Sequence, residues 1–120
     1  MSTIRVDNFG PSAGGTTYSA RGIAKAWVNF NGTGTIAARD SENVSSLTDL
    51  STGTYAVNFA NAFGAADYSF TASSRNSGIA ASVTSSACNS ASVGLVNTLN
   101  SSLASIDVNT VLATSHGDLA

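Results

Sequence analysis

The chain has 120 residues with a formal net charge of -2, and 42% of them are hydrophobic while only 10% are charged. That length fits one domain with a modest core, and basic residues spread over Arg5, Arg21, Lys25, Arg39 and Arg75 form no cluster that could neutralise a run of phosphates, which argues against a nucleic-acid partner. The polar surface must come from 20 Ser, 13 Thr and 11 Asn, a neutral hydroxyl and amide coat with little charge repulsion, as suits a rigid surface in an assembly.

In chain order, residues 2–7 alternate Ile4 and Val6 against Thr3 and Arg5 and predict a short strand, broken at Gly10 and Pro11. Residues 12–22 read as a flexible connection. Residues 1–22 are thus expected to form an arm able to dock, and residues 23–120 the folded domain.

Further on, Ala26, Val28 and Phe30 share one face while Trp27 and Asn29 share the other. Aromatics on both faces imply that both are at least partly covered. The Asn-Gly-Thr-Gly run at 31–34, flanked by β-formers, predicts a hairpin turn with 35–39 as the return strand. A short strand is expected at 44–47 and a second turn at 51–53. Tyr55, Val57 and Phe59 then face inward, with Ala56, Asn58 and Ala60 opposite.

Residues 61–66 read as a loop, and Tyr68, Phe70 and Ala72 alternate with Asp67, Ser69 and Thr71 in a strand ending near Ser73. A turn at 76–78, a weak strand at 79–84 and a polar connection at 85–90 follow. In residues 91–99, Val93, Leu95 and Asn97 share one face and Val96 takes the other. Val93, Val96, Leu99, Leu103 and Ile106 also fall near helical spacing, but Gly94 and the abundance of Ser, Thr and Asn favour strands. A last strand is expected near 110–114. The pattern predicts an all-β chain, a single antiparallel sandwich or barrel of about seven or eight short strands.

Residues able to do chemistry are sparse, and no enzyme, cofactor or metal site is expected. His116 has Ser115 and Asp118 beside it, but residues adjacent in sequence do not build a triad. Asp40, Glu42 and Asp49 lack the spacing of a calcium loop and read as turn and cap residues with solvated charges. Asp67 and Asp107 stand isolated. Cys88, the single cysteine, has no partner and reads as a small buried apolar residue. The glycosylation triplets at Asn31, Asn43 and Asn100 are expected by chance in a chain so rich in Asn, Ser and Thr. No stretch approaches the roughly 18 apolar residues of a membrane span. The opening residues carry no secretory pattern, so synthesis in a cytoplasm without secretion is expected.

Within residues 24–60, the stretches KAWVNFNGTGT, the arginine of AARDS, NVSSLTD and GTYAVNF closely resemble a pattern in tail-fibre and tail-associated virion proteins of tailed bacteriophages, particularly marine and cyanobacterial phages. The opening MSTIRVDNF, the run Ala65-Ala66-Asp67-Tyr68 and the D-x-x-x-V spacing from Asp107 to Val111 extend the resemblance. The polar ending SHGDLA departs from the hydrophobic closing strand such proteins carry.

The resemblance implies a viral structural protein located in the virion: an all-β homotrimer on the outside of the particle, in contact with other tail or capsid proteins. Trp27, Phe30, Tyr55 and Phe59 are candidates for packing between subunits. Asn31, Thr33, Asn43, Ser45, Ser46, Ser51 and Thr52 are candidates for recognising a host surface carbohydrate. Two roles follow, a tail-fibre or tail-tip module acting in host attachment, or a capsid decoration (cement) protein stabilising the head. Depolymerisation of a glycan requires carboxylates gathered in a groove, and the seven acidic residues are scattered.

Overall fold

A computed structural model describes residues 2–77 and 82–120. Two antiparallel four-stranded sheets face one another. Sheet I holds, in spatial order, β4 (Ala37–Glu42), β3 (Ala26–Asn31), β10 (Thr110–His116) and β7 (Ser69–Arg75). Sheet II holds β5 (Val44–Ser51), β6 (Thr54–Phe59), β9 (Val93–Asn100) and β8 (Ser82–Ser90). Outside the sandwich, β1 (Asn8–Phe9) and β2 (Tyr18–Ser19) pair as a small ribbon that runs into a 3-10 turn at Ala20–Gly22.

The core follows from period-two alternation. Sheet I turns in Ala26, Val28, Phe30, Phe70, Val111 and Ala113, and sheet II turns in Tyr55, Val57, Phe59 and Val96, all buried. At one end of the sandwich Phe59 meets Phe63, Tyr68 and Phe70 edge-on at 5.1, 5.5 and 6.3 Å between ring centroids. Phe63 stacks on Tyr68 at 4.3 Å. The backbone of Gly94 is pressed against this cluster: a Cβ there would stand 2.6 Å from the Phe70 ring.

A polar knot closes the other end. The Tyr55 hydroxyl lies 3.1 Å from Asp107 Oδ1 and 3.2 Å from the Gly32 carbonyl, and it accepts the Val108 N–H. Asp107 Oδ1 also accepts the Gly53 N–H at 2.7 Å. Gly53 has φ +69, and a Cβ there would come within 2.5 Å of the Thr98 carbonyl, so the turn requires glycine. Thr98, fully buried, donates its hydroxyl to Ile106 O at 2.6 Å.

The chain crosses from β4 to β5 through one residue. Asn43 takes φ +54, a left-handed conformation that asparagine tolerates better than most residues. Its amide group bonds the Asn61 backbone on both sides, accepting from the N–H at 2.7 Å and donating to the carbonyl at 3.1 Å.

Several expectations are corrected. Residues 2–7 form no strand, because Ile4 and Val6 find no sheet face to bury against and stay exposed. Part of the connection at 12–22 is ordered as β2 and the 3-10 turn. Residues 85–90 are not a connection but the second half of β8, whose side chains bond β7 and the residue before it: Ser86 donates to Phe70 O at 2.8 Å and Cys88 to Tyr68 O at 2.9 Å. Tertiary bonding overrides the turn preference of serine here. The expected turn at 76–78 and weak strand at 79–84 fall partly on residues 78–81, outside those described. The last strand runs on to His116 in the middle of sheet I, its polar end notwithstanding. Residues 93–100 form a strand, as the residue pattern favoured over a helix.

Two substitutions test this packing in opposite directions. Asp107→Ala leaves the Gly53 N–H without its acceptor and is expected to cost about 2 kcal/mol of stability. Ser115 is buried on the inner face of β10 and its hydroxyl has no partner among the described residues, so Ser115→Ala is expected to raise stability by up to about 1 kcal/mol. Urea unfolding of both variants against the parent protein reads the two signs.

Candidate interaction surfaces

The outward faces of the two sheets differ in chemistry. On sheet I, Trp27 is 37% exposed and has Glu42 and Thr114 directly across on its neighbouring strands. Asn29 sits next along, between Asp40 and Leu112, and Leu112 is 43% exposed. The Arg39 guanidinium, at a bulge in β4, donates to Asn29 Oδ1 at 3.1 Å and to the Asn109 carbonyl at 2.5 Å. A shallow groove of about 280 Å³ runs beside Leu112 over Thr71, Ser73 and Thr114. This face combines an exposed indole with amide, carboxylate and hydroxyl groups.

The outward face of sheet II carries no charge on its two central strands: Thr54, Ala56 and Asn58 of β6, and Val93, Leu95, Asn97 and Leu99 of β9. Its polar groups bond one another. Asn58 donates to the hydroxyls of Ser46 and Thr48 at 3.1 and 3.0 Å, and Thr54 donates to Asn97 Oδ1 at 3.1 Å. Side chains tied down in this way lose little further freedom when another surface covers them.

The residues singled out by sequence are placed as follows. Phe30, Tyr55 and Phe59 lie inside the chain's own core, so they are not available to pack against another subunit; only Trp27 of that group reaches the surface. The recognition set is not gathered into loops either. Asn31 ends β3, and Ser45, Ser46 and Ser51 belong to β5. Asn31 Oδ1 accepts from the Thr33 N–H and hydroxyl at 3.0 and 2.6 Å, Asn43 forms the corner, and Ser45 donates to Asn58 O at 3.1 Å. These groups stabilise the fold, whereas Ser51 and Thr52 are exposed at a hairpin tip. Sequence reasoning placed Asn29 on the face of Trp27 but passed over Leu112, which comes beside them only because β10 pairs with β3 across more than eighty residues of chain.

No protein-family model, no curated protein and no solved structure matches this chain. Among the described residues no three His, Cys, Asp or Glu side chains gather as a group that could hold a metal ion. Among the described residues no helix is long and apolar enough to cross a membrane. His116 is exposed and Asp118 pairs with Arg21 at 3.4 Å.

The most perturbed titrating group is Tyr68, at the aromatic end. Burial, reinforced by the neighbouring Cys88, pushes its phenol up to about 12 from 10.0, while the hydroxyl donates to Val93 O at 2.8 Å. Burial raises the Tyr55 phenol as well. A raised folded-state value favours the protonated phenol, so this stabilisation is complete below pH 10 and is lost as the pH rises from 10 towards 12. The melting temperature is expected to fall across that window, and less steeply in Tyr68→Phe; equal slopes contradict the assignment.

Proposed function

We propose that this chain is a non-enzymatic structural module of a tailed-bacteriophage virion, assembled as a homotrimer on the particle surface as part of the tail fibre or tail tip. The observation that carries the reading is the uncharged central surface of sheet II, whose polar side chains are already bonded to each other. Such a face can be covered by a copy of the chain or another virion protein without leaving a charge buried and unpaired. The resemblance of residues 25–60 to tail-associated virion proteins suggests the virion context.

In this reading sheet I stays outward, and Trp27 is the platform for a host glycan. An exposed indole meets the apolar face of a sugar ring, while Asn29, Glu42 and Thr114 stand within one strand of it to bond hydroxyls. Capsid decoration is the second reading, since the uncharged central face of sheet II would serve equally to seat the sandwich on a capsid surface.

Copy number in purified virions separates the two. A handful to a few dozen copies at the tail is expected; hundreds, matched to capsid symmetry, would establish the cement role instead. For attachment, binding of the purified protein to host cells is expected to drop at least tenfold in Trp27→Ala with its melting temperature unchanged. Unaltered binding, or none by the parent protein, contradicts the glycan platform.

A further inference from the structure

The two lateral sides of the sandwich are finished differently. On one side β8 is stitched to β7 and the residue before it by Ser86, by Cys88 and by the paired hydroxyls of Ser74 and Thr84. On the other side β4 and β5 are both edge strands, and among the described residues no hydrogen bond joins them. Between them lies a groove of about 280 Å³ lined by Ile36, Ala37, Ala38, Val44 and Leu47 together with the serines at 41, 45 and 46. Ile36, Val44 and Leu47 pack against the core from this side and remain half-buried. A strand edge with unpaired backbone groups over an apolar floor is a template for one more strand.

The same chain carries a strand pattern with nowhere to pair. In residues 2–7, Ile4 and Val6 are 86% and 53% exposed and alternate with Thr3, Arg5 and Asp7. The segment does not occupy the groove of its own chain. It leads instead into the ribbon, where Asp7 O accepts the Ala20 N–H at 2.8 Å, beside a wide cleft lined by Val6, Asp7, Arg21, Lys25, Asp118 and Leu119.

We propose that residues 2–7 of one copy add as a strand to the free edge of β4 in a second copy, a reading that rests on the self-assembly put forward above. Ile4 and Val6 then point into the groove over Ile36, Val44 and Leu47. Arg5 comes to the outer side, where Asp40 and Glu42 project from β4 opposite Asn29 and Trp27. In antiparallel register with Arg5 beside Asp40, Thr3 lies towards Glu42 and Asp7 towards Arg39, so each charge of the segment meets its opposite and no like pair is formed. Every copy offers one segment and one edge, which is a head-to-tail contact that closes into a ring when the rotation permits.

The test is the mass of the purified full-length chain by light scattering after size exclusion. The parent protein is expected to be multimeric. Arg5→Glu, and separately the pair Ile4→Ser with Val6→Ser, are expected to weaken assembly at least tenfold with unchanged melting of the sandwich, since these side chains are solvent-facing. Asp40→Arg combined with Arg5→Glu is expected to restore it.

Oxidation of the pair Ile4→Cys with Ser41→Cys, positions that this register sets side by side with Ser41 on the groove, should yield a covalent multimer that neither single variant, each still holding Cys88, forms. A monomeric parent, an Arg5→Glu variant that assembles as well as the parent, or a disulfide closed within one chain would overturn the proposal. Because these readouts need no virion, their failure is distinguishable from failure of the virion role, which copy counting decides.

Discussion

The hydroxyl of Tyr55 is where the two sheets are tied together. Tyr55 belongs to sheet II, but the groups around its oxygen come from the turn after β3 and from the segment leading into β10, both of sheet I. Asp107 extends the tie to the β5–β6 turn through Gly53. Sandwich halves held only by apolar contact could slide, since hydrophobic attraction has no direction. Hydrogen bonds do have direction, and inside a core they act at low dielectric, so one phenol and one carboxylate set the register of three connections.

The far end of β6 works by shape instead. Phe59 is surrounded edge-on by three other rings, an arrangement aromatic quadrupoles favour, and Gly94 opens the space that Phe70 fills. With β6 fastened at both ends and β9 beside it, sheet II is a stiff plate. Its outward hydroxyls and amides bond along the plate, which leaves a central surface of apolar groups and mutually bonded polar groups that carries no charge. Sheet I presents the opposite character, with the charged groups of β4 and an indole in view. The proposed division between a face that is covered and a face that is displayed follows from this contrast.

The all-β architecture was legible because its signal is local. Alternation in Ala26 to Phe30 and in Tyr55 to Phe59, and the glycine turns after each preceding strand, depend only on neighbours in sequence. Strand β8 was hidden because its stability comes from bonds to Tyr68 and Phe70 carbonyls that no local pattern announces. Residues 2–7 erred the other way: their alternation is sound, but a strand needs an edge to join, and none within the chain receives them. Phe30, Tyr55 and Phe59 read as adhesive aromatics because sequence cannot tell an intramolecular face from an intermolecular one. Asp107 looked isolated for the same reason, since its partners lie over fifty residues away. The D-x-x-x-V spacing was its only trace: Asp107 enters the knot and Val111 the core.

Hydrogen exchange at the knot tests the central claim most directly. Turn amides ordinarily exchange through local fluctuation, far faster than core strands. If the Tyr55–Asp107 tie governs the sandwich, the amides of Gly32, bonded to Val108 O, and of Gly53, bonded to Asp107, exchange only through global unfolding, as slowly as those of β6 and β9. Exchange at these two glycines at the rate of open turns, with the strands still protected, would contradict the account.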